Sequence, residues 1–388
     1  MGVQSIVTAD LRPALLQAAV PAQIAVQICQ CECTYRSMTF LALPGSDRRS
    51  QSRPLEVIVS DLIVRLAELK DDIDDARADA IASLQNLLYS RLAMISVFRL
   101  LITPDDEPTD NNLVLDLIGV ANSKKALLID QIEAELGCLR NLVEAHNELR
   151  DVQWMTAIVA LAEAKAELVR VRKLPSNKSY VSLLWMASYL SSLQARASLY
   201  FHKIISGMHG FSNASPSSTS PLPNLMRRPE WPLMSQIESN VAKCGALCAC
   251  LIYNGFDSDS RPAMLQGYQF PEDVERPSGL RSWSSIYSYS STTGFNLDSH
   301  MANIVCLLME YGDKQLRRAV LHREPNTKLC YLYMPVESRI FFVTIWPTSQ
   351  SPRVQTQFIQ TWTTLGQSIR NLAHPSQLQM TPLTLLSV

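Results

Sequence analysis

Glycine is scarce, with 13 in 388 residues. Neither G-x-G-x-x-G nor G-x-x-x-x-G-K-[ST] occurs, so the usual phosphate-cradling loops are missing. An excess of one charge is missing too: 35 Lys+Arg oppose 36 Asp+Glu, for a net charge of -1. No global basic field therefore exists to hold nucleic acid or an anionic membrane. No run approaches the roughly 18 to 20 apolar residues that a membrane span needs. G-x-S-x-G and H-E-x-x-H are absent, and so is any internal repeat. Charged residues of either sign reach only 18%, against about 25% in typical domains. Apolar residues, at 47%, suffice for a packed core. Low charge over such a core points to surface that partners cover.

The nine cysteines are an odd number in a chain long enough to build its own core, which argues for reduced thiols and a cytoplasmic setting. The apolar stretch from Leu11 to Cys29 is interrupted by Pro13, Gln17, Pro21, Gln23 and Gln27 and preceded by Asp10, which reads against a signal peptide. Met1-Gly2 opens like a myristoylation motif, but Ile6 stands where Ser or Thr is wanted. Membrane attachment is expected only through partners.

Residues 1–53 form an N-terminal segment with a mildly helical stretch, ended by the polar PGSDRRSQSRP. From Leu55 a helical face begins with Ile58, Leu62, Leu66 and Leu69 and continues through Ile73, Leu84, Ile95 and Ile102, as one very long helix or two in line. TPDDEPTDNN stops it and caps a further helix near Leu113, and Ser123 can cap the next. Helix follows helix to Gly207 and Gly210, so residues 54–210 read as a bundle of long helices. Ser and Pro supply eight of the twelve residues from Ser212 to Pro223, and 211–228 read as a disordered linker. Residues 229–376 then read as an α+β domain, with a tail at 377–388. Its expected elements are a helix at 233–243, strands in ALCACLIY, ANIVCLLME, KLCYLYMPV and RIFFVTIW, and a last helix at 354–372. The fold class is α+β with two domains, the second carrying an antiparallel sheet of four or five strands, profilin-like or roadblock-like by analogy.

Cys29-x-Cys31-x-Cys33 is the sharpest local pattern, but structural zinc prefers C-x₂₋₄-C and four ligands, so free thiols are the expected reading. Cys244, Cys248 and Cys250 read as small buried hydrophobes. His146 and His202 lie on apolar helices. Asp71, Asp72, Asp74 and Asp75 read as a solvated helix face. RSWSSIYSYSSTTGF combines Trp283, Tyr287, Tyr289 and Phe295 with many serines, the mixture that interfaces favour. These four aromatics are candidates for partner binding or for packing across the sheet. No catalytic residue, cofactor, metal, nucleic acid or small-molecule substrate is expected.

The helix YVSLLWMASYLSSLQARASLYFHKIIS, the unit ALCACLIYN, NIVCLLME and LYMPVESRIFFVTIWP resemble corresponding segments of the KICSTOR complex subunit 2 family. LLYSRLAMISVFRLL and LRNLVEAHNELRDVQWMTAIVALAEAKAELVRVRKL match it more loosely. The resemblance covers about residues 80 to 372 and is strongest at 180–202 and 303–347, with residues 1–53 outside it. It implies a helical domain joined to an α+β domain in a non-enzymatic scaffold or adaptor that contacts other KICSTOR subunits. Through them it implies recruitment of the GATOR GTPase-activating complex to the lysosomal membrane. The consequence would be negative regulation of TOR complex 1 in amino acid or glucose deprivation. It implies no direct membrane insertion. Two other readings stand beside it: a stand-alone roadblock or longin-type platform for a small GTPase, and a metal- or thiol-dependent enzyme using Cys29, Cys31 and Cys33.

Overall fold

The structure, a computed structural model, describes residues 3–41, 54–69, 74–102, 129–150, 153–173, 180–208, 233–254, 279–292, 295–315, 319–337, 339–348 and 352–370. The expected linker at 211–228, the helix near Leu113, the cap at Ser123 and the tail lie outside them. Among the described residues there are ten α-helices and one antiparallel sheet of five strands, which gives the expected α+β class. They divide into two compact units. One is drawn from Met1–Glu144 and Ala160–Ser191, the other from Ala145–Val159 and Ser192–Ala373.

The first unit is helical. It holds α1 (Val3–Gln17), α2 (Ala22–Arg36), α3 (Leu55–Glu68) and α4 (Asp75–Ile102), with parts of α5 (Ile129–Arg150), α6 (Trp154–Lys173) and α7 (Val181–Met208). Leu55, Val59, Leu62, Ile63 and Leu66 form the buried stripe of α3, and Ile81, Leu84, Leu88, Ile95 and Phe98 that of α4. The two are not in line. Asp74 starts α4 afresh, its Oδ1 accepting the Arg77 N–H at 2.7 Å, the N-cap geometry that satisfies an orphan amide. The chain folds back, and Gln85 Nε2 donates to the Ile63 carbonyl at 3.1 Å across the pair. The apolar period alone could not reveal this, because both helices keep the same spacing while changing direction.

The second unit centres on the sheet, with strands β1 (Cys248–Asn254), β2 (Trp283–Ser290), β3 (Val320–Glu324), β4 (Leu329–Pro335) and β5 (Ile340–Pro347) in the order β2-β1-β5-β4-β3. Helix α8 (Leu233–Cys244) enters β1 through Gly245, whose φ of +58° is the left-handed conformation open to glycine. There the Ala246 amide reaches the Val241 carbonyl at 3.1 Å, closing the helix end. Helix α9 (Asp298–Gln315) lays Ile304, Val305, Leu307 and Leu308 against Cys250, Ile252, Tyr333 and Val343 on one sheet face. Helix α10 (Pro352–Arg370) contacts the other, its Trp362 ring 5.8 Å from Phe342. With helices on both faces, β1 and β5 are buried almost throughout, which is why their sequences read as continuous apolar runs.

Three expected strands form, as β1, β4 and β5, but ANIVCLLME is the body of α9 rather than a strand. Ile304, Val305 and Leu308 are buried while Ala302, Cys306 and Met309 are exposed, a spacing of three to four residues rather than two. The remaining strands are β2, within the aromatic-serine segment, and the short β3.

Candidate interaction surface

Strand β2 is an edge of the sheet and pairs only with β1 among the five strands. The register runs from Cys248 opposite Ser290 to Leu251 opposite Tyr287, then slips so that Ile252 faces Ser285. Ile286 is the extra residue of a β-bulge, and the slip exchanges faces. Trp283 therefore shares the α9 side with Ile252, whereas Tyr287 and Tyr289 share the opposite side with Leu251 and Ala249. Trp283 is 7% exposed, its ring 6.3 Å from that of Phe341, and Tyr287 is 5% exposed. Tyr289 is half-buried, and Ser288 and Ser290 are exposed beside it. Phe295, half-buried against the α9-side core, stacks on His300 at 4.9 Å between ring centres. Burial pulls the His300 pKa down, which favours the neutral ring beside the Tyr331 hydroxyl, 3.1 Å from Nδ1. The four candidate aromatics thus divide into two pairs on opposite faces, Trp283 with Phe295 and Tyr287 with Tyr289.

The cysteine triplet lies on α2, where Cys29 and Cys33 sit one turn apart on one face and Cys31 points about 200° away from both. Burial pushes all three thiols up, with Cys31 at about 11, so thiolate is scarce at neutral pH. Among the described residues, no three of His, Cys, Asp and Glu gather where they would hold a metal ion. Cys244, at the end of α8, and Cys248 and Cys250, on β1, are buried, as expected of small hydrophobes. His146 is half-buried on α5, and the His202 side chain lies outside the described residues. Of the acidic run, Asp74 caps α4 and Asp75 begins it, while Asp71 and Asp72 lie outside the described residues.

The helical unit holds a charged centre that sequence reading missed. Glu32 on α2 receives Arg36 Nε at 2.7 Å, one turn along the same helix. It also receives both Nε and Nη2 of Arg91 from α4, each at 2.8 Å. Arg91 Nη1 donates to Glu135 Oε2 on α5 at 2.6 Å, and Gln131 Nε2 donates to Oε1 of the same carboxylate at 2.6 Å. The Tyr35 hydroxyl donates to Glu135 at 3.1 Å, and its ring lies under the Arg91 guanidinium at 4.2 Å. Arg36 reaches Asp10 at 2.9 Å and the Tyr180 hydroxyl. Glu32, Arg36, Arg91 and Glu135 are all buried. Burial alone would raise the Glu32 pKa, yet Arg91 and then Arg36 hold its carboxyl below the ordinary value. These groups bind one another across four helices, so the cluster fixes helix register rather than awaiting a substrate. The i,i+4 spacing of Glu32 and Arg36 was the one local signal; Arg91 and Glu135 join only through the tertiary fold.

No helix among the described residues is long and apolar enough to cross a membrane. A helical unit with an inward-turned charge cluster and a helix-covered antiparallel sheet define the chain as an α+β protein. It belongs to the KICSTOR complex C12orf66-like family, whose model matches residues 121–380, about two thirds of the chain. The segments of strongest resemblance, 180–202 and 303–347, lie within that match. No curated protein matches the chain. The family is defined by a complex rather than a reaction, and this gives the chain a KICSTOR-related role.

Proposed function

We propose that the protein is a non-enzymatic scaffold or adaptor subunit of a KICSTOR-like complex. In this reading it helps recruit the GATOR GTPase-activating complex to the lysosomal membrane and restrains TOR complex 1 when amino acids or glucose are scarce. The family match over residues 121–380 carries the proposal. The proposed organisation is a helical domain at 54–210, against which α1 and α2 of the segment 1–53 pack, a linker at 211–228 and an α+β domain at 229–376. Partner contact is assigned to the β2 edge. Tyr289 and the exposed Ser288 and Ser290 offer an amphipathic ring and adaptable hydroxyls, while Trp283, Tyr287 and Phe295 hold the strand in place. The bulge at Ile286 twists this edge, a device that discourages indiscriminate strand pairing.

Affinity purification of the tagged full-length protein from its own cells, with mass spectrometry of what stays bound, tests the assignment. The expected result is the large KICSTOR scaffold protein with its companion subunits. A second reading, a roadblock or longin-type platform, draws on the layering of the second unit, in which helices cover both sheet faces. Recovery of a small GTPase without the other subunits would select it, and a clean monomer would sink both.

A further inference from the structure

Helix α6 is apolar on two sides. Ala157, Ala160, Leu161, Ala164, Leu168 and Val171 are buried. A second line, Met155, Val159, Ala162, Ala166 and Val169, is exposed along the same helix, the three large residues at 56%, 51% and 43%. No other helix among the described residues exposes more than two large hydrophobics.

The steps along this line are four, three, four and three residues, the 3.5-residue spacing of a coiled-coil seam. A solvated face would put charge there. The two alanines at its centre let a second helix approach closely, and the larger residues at its ends act as knobs. The flanks decide the partner. Glu163 and Arg170 border the line on one side, Lys165 and Arg172 on the other, and Lys173 follows at its end. Arg170 has three acidic neighbours, Glu167 at 3.5 Å, Glu133 at 3.7 Å and Asp130 at 3.9 Å, and these offset its charge. Lys165, Arg172 and Lys173 still leave the C-terminal half of the seam basic.

A second copy would meet this charge badly. Parallel pairing brings Lys165 toward Arg170 of the other helix, and antiparallel pairing, while it also sets Glu163 against Arg170, sets Lys165 against Arg172. We propose that this seam docks an amphipathic α-helix of another subunit, one with apolar residues at 3.5-residue spacing and Asp or Glu flanking its C-terminal-half contacts. The proposal rests on the reading of the chain as a complex subunit. The surface is distinct from the β2 edge and would give the chain two contacts within one assembly.

The test uses the full chain expressed with the other complex subunits. A photo-reactive benzoylphenylalanine replaces Ala162, and two variants, Val159→Glu with Val169→Glu and Lys165→Glu with Arg172→Glu, are compared with the unaltered chain. The proposal expects the cross-link on an acidic-flanked helix of another subunit, and about tenfold weaker retention of that subunit by each variant, or about 1.4 kcal/mol. Because every altered side chain is exposed, melting temperatures should match the unaltered chain. A cross-link to a second copy of this chain, to a helix with basic flanks or to nothing overturns the proposal, and so does unchanged retention. Failure of the unaltered chain to hold any subunit would instead overturn the complex reading.

Discussion

The Glu32 carboxylate meets the Arg91 guanidinium at two points, Oε2 with Nε and Oε1 with Nη2, each 2.8 Å apart across 59 residues of chain. Both side chains are inside the helical unit, where a charge left without its partner is costly. Glu32→Gln keeps the shape and removes the charge that Arg91 and Arg36 share. We expect a loss of about 3 kcal/mol or more in chemical denaturation, on the scale of broken buried ion pairs. A loss below about 1 kcal/mol would mean that the cluster contributes little.

The same pair has a pH signature. Its folded-state carboxyl is more acidic than an ordinary glutamate, so its contribution is complete above about pH 4.3, the unfolded value, and is lost as pH falls through the lower folded value. The stability gap between the unaltered protein and Glu32→Gln should stay constant from pH 8 to pH 5 and shrink below about pH 4. A gap that narrows between pH 8 and pH 6 would point to another group.

In the sheet unit, Glu337 accepts hydrogen bonds from Arg196 and, at 3.1 Å, from the Tyr200 hydroxyl. Burial, reinforced by Glu337, pushes the Tyr200 pKa up, so the phenol remains a donor at any working pH. Glu337→Ala should cost about 3 kcal/mol by leaving the buried Arg196 without this carboxylate. Tyr200→Phe removes one neutral donor and should cost about 1 kcal/mol. Equal losses in the two variants would contradict the assignment of the charge as the larger contributor.

At Gly366 a Cβ would fall 1.6 Å from Met334 Cε, in the contact of α10 with β4. Met334 is buried, so its thioether must repack rather than swing into solvent. Gly366→Ala should destabilise by about 1 to 3 kcal/mol despite alanine's better helix propensity. Pairing it with Met334→Ala should recover part of the loss, a coupling that thermal melts of the single and double variants measure.

Much of this architecture is legible in the sequence, and the exceptions share a cause. Strands β1, β4 and β5 announce themselves because burial on both faces makes them continuous runs of Val, Ile, Cys and aromatics. NIVCLLME has the same composition yet is helical, and its cue was the pattern of exposed Cys306 and Met309 against buried Val305 and Leu308. An Asx contact also marks the helix start, with Asn296 Oδ1 accepting the Asp298 N–H at 3.0 Å. Strand β2 escaped because serines fill its exposed positions and the bulge at Ile286 breaks its alternation. The aromatic candidates were visible as a group, but their division between two faces depends on that one-residue slip. The charge cluster was hidden for a different reason: only Glu32 and Arg36 are neighbours in sequence.

The proposed role in a complex that restrains TOR complex 1 is tested most directly in cells deprived of amino acids. TOR complex 1 substrate phosphorylation would be measured with and without the chain, and after its re-expression. Under the proposed role, phosphorylation persists through starvation when the chain is missing and falls again when it is restored. Phosphorylation that falls equally in both cells would contradict it.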